Sequence, residues 1–362
     1  MCDPALVKTV SEVAALRLDN ELPMVSVVIV NFNGRTSLLK CLESITKSVY
    51  SKFETIIVDN GSQDGSIDEV MRRFGDDPHI KLVRSEANVG PARARNLGVQ
   101  VARGHLVAFL DNDTITDPRW LIEVVKVFSS DVTVGACQSK LLTMKDPRNL
   151  DCAGDYLTPF GFLLQRAEYG VMDTGQFDTI EEIFSAKSAS IIVRRDVLYE
   201  VGGFDADYFM FVEETDLCWR IWLRGFKILF VPDSIVYHRF GMTREISPAL
   251  SSYLVSYHGP KNYLATIVKN VGFLLGLKMI PLHVFIWTAA IALLLFKRRT
   301  VEAALVGRGL AWNIIHLSNL QRKRLLVQSQ IRRVPDSAIL PRIMRPMPLE
   351  YLLKRAQKLS VW

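Results

Sequence analysis

Residues 106–114 of this 362-residue chain, LVAFLDNDT, indicate its fold class. The five apolar residues 106–110 stop abruptly at Asp111, Asn112 and Asp113. A short uncharged run bounded by polar residues is typical of a strand buried on both faces, as in a parallel sheet. Ligands of open α/β sheets bind at the carboxyl ends of such strands, where Asp111 and Asp113 can share one small, hard cation. A surface loop that carries two aspartates is the alternative.

Strand and helix patterns alternate in the residues before this stretch. Three further strands are predicted at residues 24–30, 53–58 and 80–83, and helices at about 36–47, 66–74 and 91–104. Crossovers between parallel strands are right-handed and carry their helices over the sheet. The alternation therefore predicts an α/β fold with a mostly parallel sheet and helices on both faces.

Three polar clusters follow predicted strands: NFNG (31–34), VDNGS (58–62) and LDND (110–113). Because the carboxyl ends of parallel strands meet at one edge of a sheet, the clusters together predict a nucleotide pocket. The chain has no G-x-x-x-x-G-K-[ST] phosphate loop, and NVGPARARNLG (88–98) lacks the G-x-G-x-x-G spacing directly after a strand. These observations argue against an ATPase and against a dinucleotide-dependent dehydrogenase.

Charge is divided unevenly along the chain. From residue 261 onward there are 17 Lys and Arg against 3 Asp and Glu, whereas the preceding residues carry 27 against 35. An acidic globular part is thus joined to a basic, apolar tail. The five cysteines show no C-x-x-C spacing and fit reduced thiols in a cytoplasmic compartment. Residues 1–22 have no apolar core after a basic start, so no secretory signal is predicted.

Six blocks, in order along the chain, carry a resemblance to a known family. They are VSVVIVNFNG (25–34), IIVDNGSQDGS (56–66), NVGPARARNLGVQVARG (88–104), LVAFLDNDT (106–114), SAKSASIIVRRDVLYEVGGFDADYFMFVEETDLCWR (185–220) and FVPDSIVYH (230–238). Over about residues 24–240 the chain resembles a family 2 glycosyltransferase, particularly the rhamnosyltransferase-like branch. The resemblance implies the GT-A fold, a Rossmann-like α/β fold.

The resemblance also implies site residues. The positions that match the nucleotide-binding blocks of the family are Asn31, Asn33, Asp59, Asn60, Asn88, Arg95, Asp111 and Asn112. Among them, Asp59 is expected to bond the base and Arg95 to line the base and ribose. The positions that match the metal site, for Mn²⁺ or Mg²⁺, are Asp111, Asp113 and His238. Gly203, Phe204 and Asp205 match the acceptor loop of the family. An ordinary turn, without a part in acceptor binding, explains the paired glycines equally well.

Glu213 and Glu214 begin a helical pattern that stops at Gly225. The family commonly has Glu-Asp here, and its aspartate deprotonates the acceptor hydroxyl. Glu214 matches that aspartate, although the choice between Glu213 and Glu214 stays open. Such a base serves a single inverting displacement in which a cation stabilises the departing nucleoside diphosphate. Asp216 and Arg220 lie four residues apart and are predicted to pair on one helix face.

These patterns divide the chain into three parts. They are an N-terminal extension (1–22), a GT-A catalytic domain (23–245, with a nucleotide-binding half 23–115 and an acceptor half 116–245) and a basic, apolar helical tail (246–362). Within the acceptor half, the irregular stretch 146–184 is either an acceptor-facing insertion or ordinary loop structure.

The tail contains 16 residues, 281–296, without Asp, Glu, Lys or Arg, fewer than the roughly 20 that cross a bilayer comfortably. Lys278 and Pro281 interrupt a longer run. This favours helices that lie in the membrane interface, or a re-entrant hairpin, over a span. The basic residues expected to attract anionic lipid are Arg322, Lys323, Arg324, Arg332 and Arg333. An oligomer interface is the alternative, whereas leucine-rich spacing between the basic clusters argues against nucleic acid.

Family and topology together imply transfer from a UDP- or dTDP-linked sugar, with rhamnose among the candidates. The implied acceptor is a hydroxyl of a glycan or a polyprenyl-linked glycan at the cytoplasmic face of the membrane, in assembly of cell-surface polysaccharide or glycoprotein glycans. Two alternatives stay open: a sugar nucleotidyltransferase, and a non-catalytic membrane scaffold with a degenerate transferase fold. The intact D-x-D, Glu-Glu and histidine argue against the scaffold.

Overall fold

The structure is a computed structural model that describes residues 22–241 and 247–347. The predicted N-terminal extension, apart from Leu22, lies outside the described residues, as do residues 348–362 of the predicted tail and the domain boundary predicted at 245.

The predicted nucleotide-binding half, residues 23–115, contains a parallel sheet with helical crossovers, as expected. Its strands are β1 (Val25–Asn31), β2 (Phe53–Asp59), β3 (Ile80–Arg84) and β4 (Leu106–Asp111), and its helices are α1 (Arg35–Ile45), α2 (Ser66–Phe74) and α3 (Pro91–Val101). The strand order is β3-β2-β1-β4, and β1 pairs in parallel with both β2 and β4. Each predicted strand is confirmed with bounds within one residue.

The acceptor half extends the same sheet. Its elements are β5 (Thr114–Thr116), α4 (Trp120–Ser130), β6 (Val134–Thr143), β7 (Leu150–Cys152), β8 (Asp155–Leu157), β9 (Leu163–Gln165), β10 (Glu181–Glu182), β11 (Ser190–Arg194), α5 (Arg195–Glu200), a 3₁₀ turn (Ala206–Tyr208), α6 (Glu213–Arg224) and β12 (Lys227–His238). Beyond β4 the order is β11-β6-β12-β10. Since β11 runs antiparallel to both β4 and β6, the whole sheet is mixed.

Both faces of the sheet are covered, which confirms the predicted layers. On one face α1, α2 and α4 contribute Leu38, Ile67 and Trp120 to a buried core. On the other, α3 and α6 contribute Ala94 and Trp219. Burial on both faces explains why the strands read as continuous apolar runs.

The tail is helical, and it packs on the catalytic domain. Its helices are α7 (Pro248–Asn270), α8 (Phe273–Phe296), α9 (Thr300–Ile315), α10 (Leu317–Leu326) and, after a π-helical turn (Val327–Ile331), α11 (Asp336–Ile343). Lys269 of α7 lies 2.5 Å from Asp205 and 2.9 Å from Asp216 of α6. These buried ion pairs join the tail to the helix that carries the two candidate glutamates.

Helix α8 continues through Lys278 and Pro281, which interrupt the apolar run of the sequence but not the helix. One expectation about the tail is wrong. Lys323, Arg324 and Arg332 do not offer their charges to a lipid surface. Lys323 pairs with Asp205 and Asp207, Arg324 donates to the carbonyls of Val268 and Val271, and Arg332 pairs with Asp336.

Candidate active site

Asp111, Asp113 and His238 form one cluster at the carboxyl edge of the sheet. Asp111 ends β4, Asp113 follows in the turn, and β12 pairs with β5 so that His238 lies opposite Thr114. The Asp113 carboxylate is 3.5 Å from His238 Nε2, and one ligand atom from each of the three residues lies within 4.8 Å of the others. The three predicted metal ligands are therefore brought together by strands that are distant in sequence.

The donor set fits a divalent cation. Two carboxylates and an imidazole suit Mn²⁺ and also accept Mg²⁺. With metal–ligand distances of about 2.1 Å, neighbouring ligands of an octahedral ion are about 3 Å apart, and the 3.5 Å between Asp113 and His238 is close to that spacing. Asp113 is buried, whereas Asp111 and His238 are partly exposed, so the cluster is open on one side to a ligand.

Asp151 on β7 orients the histidine and was missed by sequence reasoning. Its carboxylate lies 2.6 Å from His238 Nδ1. Although burial by itself lowers the pKa of His238, bonding to Asp113 and Asp151 raises it to about 10. Without a metal the ring is therefore protonated on both nitrogens, and Nε2 faces Asp113. A cation would take the place of the Nε2 proton, while Asp151 holds the proton on Nδ1.

Arg95 connects this cluster to the candidate base pair. Its guanidinium donates to Glu213 Oε1 at 2.8 Å and to Asp111 Oδ1 at 3.0 Å, and it lies over the Phe204 ring at 5.5 Å from the centroid. Burial opposes the charge of Arg95, but the carboxylates of Asp111 and Glu213 raise its pKa above the usual value. The side chain thus faces the centre of the site.

Glu213 and Glu214 differ in environment. Glu213 is buried and paired with Arg95, whereas Glu214 is half-buried at the start of α6. No ion pair forms at Glu214 within the described residues. Burial and the neighbouring charge of Glu213 raise the pKa of Glu214, against the opposing charges of Lys187 and Arg95. A carboxyl group with a raised pKa and free acceptor oxygens has the properties of a general base.

The predicted donor-binding side chains meet at this edge, but several bond to one another. Asn31 accepts from Asn112 at 2.7 Å, and Asn60 donates to Asn88 at 2.9 Å. A Cβ at Gly34 would lie 2.1 Å from Asn112 Nδ2, so this turn needs glycine. The amides hold the loops of the pocket in place.

Asp59 and Asn33 also hold this edge together. Asp59 is buried and accepts from the Ser62 N–H at 3.2 Å. Asn33 is exposed, has a positive φ of 50°, and accepts from the Gln63 N–H at 2.7 Å.

The predicted acceptor residues lie between Arg95 and the tail, and their role stays a prediction. Gly203 has a positive φ of 65° in the turn after α5, and Phe204 is buried edge-on against Phe109 at 5.0 Å between ring centroids. Asp205 is half-buried and pairs with both Lys269 and Lys323. In this arrangement Phe204 supports Arg95, and Asp205 joins the catalytic domain to the tail.

A second buried pair lies near Glu214. Lys187 Nζ is 2.9 Å from the Asp155 carboxylate, which is fully buried. Although burial lowers the pKa of Lys187, Asp155 holds it well above the usual range. Sequence reasoning did not single out either residue, and both lie in stretches without helical or strand periodicity.

Comparison with known families identifies the chain. The profile of the family described as Glycosyl transferase family 2 matches residues 26–178, and that of Glycosyl transferase family group 2 matches residues 106–297, more than half of the chain. The chain belongs to family 2 of the glycosyltransferases. The predicted enzyme class is thereby confirmed, while the rhamnosyltransferase-like branch stays a prediction.

Several curated relatives of this glycosyltransferase are named for glycosyl transfer or for O-antigen biosynthesis. Glycosyltransferase AglE of Haloferax volcanii is 28% identical over 229 residues, 61% of this chain and 68% of AglE. A glucosyl-dolichyl phosphate glucuronosyltransferase from the same organism is 25% identical over 59% of this chain and 69% of its own length. The O-antigen biosynthesis protein RfbC of Myxococcus xanthus is 28% identical, but the match covers only 19% of RfbC.

Solved structures confirm the GT-A fold. The mannosyltransferase PcManGT from Pyrobaculum calidifontis, in complex with GDP-Man and Mn²⁺, superposes with a TM-score of 0.53 at 18% identity, over 86% of this chain and 87% of that one. GalNAc-T7 with UDP, GalNAc and Mn²⁺ gives a TM-score of 0.51 at 20% identity, over 68% of this chain and about half (51%) of its own.

Proposed function

We propose that this glycosyltransferase is an inverting, metal-dependent enzyme that uses a nucleoside diphosphate sugar. In this reaction Glu214 accepts the proton of the acceptor hydroxyl while that oxygen attacks the anomeric carbon and the bond to the diphosphate breaks. A divalent cation held by Asp111, Asp113 and His238 supplies positive charge for the departing diphosphate. Arg95 adds a fixed positive charge between the cation site and the pair of glutamates.

The observation that most directly supports this proposal is that Arg95 pairs with both Asp111 of the candidate cation site and Glu213, the neighbour of Glu214. A single displacement needs a base on one side of the sugar and charge stabilisation on the other. The proposal is supported by the position of Arg95, whose guanidinium pairs with one residue of each proposed group. A nucleotidyltransferase has no need for a carboxylate with a raised pKa that is open to an acceptor.

We propose UDP- or dTDP-linked sugars as donors, with GDP-linked sugars as the comparator, because the solved neighbours carry UDP or GDP-Man. The proposed acceptor is a glycan attached to a membrane lipid. Support comes from a relative named for a dolichyl phosphate substrate and from the apolar tail.

The tail is proposed to hold the enzyme on the membrane surface, at its cytoplasmic face, with α8 in the plane. By length and composition, α8 is the one helix among the described residues that could cross a bilayer. Yet its buried positions, Gly276, Met279, His283, Trp287 and Leu294, extend over about 27 Å of helix at 1.5 Å per residue. His283 lies 3.1 Å from the Phe160 carbonyl. The buried side of α8 packs on the tail helices α7 and α9 and on residues 160–162 of the preceding domain. An α8 that spanned a bilayer would have to give up these contacts or draw its partners into the lipid.

The opposite side of α8 is the surface offered to lipid. Phe273, Leu274, Leu277, Phe285 and Phe296 are between 60% and 86% exposed. An apolar helix face beside basic residues is typical of interfacial attachment.

The test of function is product analysis with purified protein. The protein is incubated with UDP-, dTDP- and GDP-sugars, a lipid-linked glycan acceptor, and Mn²⁺ or Mg²⁺. Metal-dependent release of nucleoside diphosphate is expected, with an inverted anomeric configuration in the product. Asp113→Ala should abolish release, and Asp76→Ala, an exposed aspartate outside the cluster, should not. Pyrophosphate as the product would establish the nucleotidyltransferase, and no turnover with any donor would favour the scaffold.

The membrane proposal is tested by flotation with anionic vesicles. The double variant Leu277→Asp and Phe285→Asp should lower the floated fraction about fivefold or more. It replaces two apolar side chains that would be buried in lipid with charged ones that stay in water. Val132→Asp is the matched control, since Val132 is 77% exposed on the catalytic domain. Alkaline carbonate should extract the wild-type protein. Resistance to extraction would show a span instead.

A further inference from the structure

The loop that leads into the two glutamates has an unfavourable backbone conformation. In loop 208–212, Phe209, Phe211 and Val212 have positive φ angles of 52°, 65° and 68°. None of them is glycine, and Val212 is β-branched, so each adopts a region that its side chain disfavours. Such a conformation persists only where the surroundings hold it, and here it immediately precedes Glu213.

Asn262 of α7 is the side chain that holds this loop. Its amide nitrogen lies 3.0 Å from the carbonyl of Tyr208 and 2.8 Å from those of Met210 and Phe211. Asn262 is fully buried, and its Oδ1 has no partner among the described residues. An apolar side chain of the same shape would leave these three carbonyls without their donor, and unsatisfied buried carbonyls are costly in free energy.

The loop contacts the nucleotide-binding half as well. Gly90, which precedes α3 with a φ of 81°, lies so close to Phe209 that an added Cβ would be 2.6 Å from the ring and 2.7 Å from the carbonyl oxygen. The Ala92 N–H donates to that carbonyl at 3.3 Å. Loop 208–212 is thus fixed between the start of α3, which carries Arg95, and the tail helix α7.

We propose that Asn262 is a positioning residue for sugar transfer: it keeps loop 208–212 in the left-handed conformation that places Glu213 against Arg95 and Glu214 in the site. The proposal rests on the proposed role of Glu214 as the base. It assigns the tail a part in catalysis, because the residue that fixes the base belongs to the tail and not to the GT-A domain.

Asn262→Leu and Asn262→Asp keep the size of the side chain and remove the neutral donor. Both are expected to lower kcat by about a hundredfold, as for a misplacement of the base by roughly 1 Å, with donor affinity unchanged. The matched control is Asn313→Leu. Asn313 is also a buried tail amide whose Oδ1 has no partner among the described residues, but it donates to the carbonyls of Lys261 and Gly309 and to none of loop 208–212.

Stability and amide exchange complete the test. Asn262→Leu and Asn313→Leu are expected to lower the melting temperature by similar amounts, and only the former to lower kcat. Only Asn262→Leu should also speed hydrogen exchange at the N–H groups of Ala92 and Asp216, which donate to the carbonyls of Phe209 and Val212.

Equal kcat losses in the two variants, or unchanged exchange at Ala92 and Asp216, would overturn the inference. If the wild-type protein transfers no sugar, the proposed function fails. The exchange measurement still decides whether Asn262 holds the loop.

Discussion

The Arg95 guanidinium donates to Glu213 at 2.8 Å, and both side chains are about 95% buried. Arg95 also bonds Asp111, so one buried cation is shared by two carboxylates of the site. Taking either partner away leaves a charge in a place from which water is largely excluded. The pair therefore matters for folding as well as for chemistry.

Arg95→Met is expected to destabilise the protein by about 3 kcal/mol or more, because Glu213 keeps its charge without a partner. Arg148→Met, which removes a pair exposed at both ends, should change stability by less than about 1 kcal/mol. Urea denaturation measures both. Adding Glu213→Gln to Arg95→Met should recover part of the loss, and a strictly additive double variant would show that the two residues are not coupled.

The activity of the enzyme should depend on ionisation of Glu214. Because burial and Glu213 raise the pKa of Glu214, the reactive carboxylate becomes abundant only as pH rises. The kcat/KM profile should therefore climb well above pH 5, where an ordinary glutamate with a pKa of about 4.3 is already ionised. Glu213→Gln removes the neighbouring charge and should move this limb to lower pH. A limb that does not move, or a flat profile from pH 5 to 9, would contradict the account.

Asp151 should control metal affinity without being a ligand itself. Asp151→Asn replaces the charged acceptor of the His238 Nδ1 proton with a neutral amide, and weakening such a partner lowers metal affinity about 10–100-fold. Asp173→Asn is the control, because Asp173 pairs with Lys140 outside the cluster. Mn²⁺ titration by calorimetry in the presence of UDP reports both affinities. Equal affinity in the two variants would show that Asp151 is not needed.

The fold could be read from the sequence where burial imposes a pattern. β4 lies between β1 and β11, and its residues 106–110 are buried. A strand in this position requires uncharged, apolar residues, and the sequence shows that pattern. Asp111 and Asp113 were predictable for the same reason, since a ligand edge must follow such a strand. The direction of β11 was not predictable, because Ser190–Arg194 has the same apolar, buried pattern whether the strand pairs in parallel or antiparallel.

The supporting residues of the site could not be predicted because their partners are distant in the chain. Asp151 lies in a three-residue strand, and its bond to His238 spans 87 residues. Asn262 reaches loop 208–212 across about 50 residues, from a helix whose pattern indicated only an apolar tail. The tail itself was interpreted from net charge, and charge does not reveal that Lys323 and Arg332 are paired internally.

The central claim, that Glu214 is the base of an inverting transfer, is tested most directly by comparing donor affinity with turnover in Glu214→Gln. The account predicts that kcat falls by about 10²–10⁴-fold, the usual contribution of a general base, while metal-dependent donor affinity is unchanged. Glu214→Asp, the residue commonly present in the family, should keep much of the activity. Donor affinity that falls as steeply as turnover, or a Glu214→Gln enzyme that still turns over, would contradict the claim.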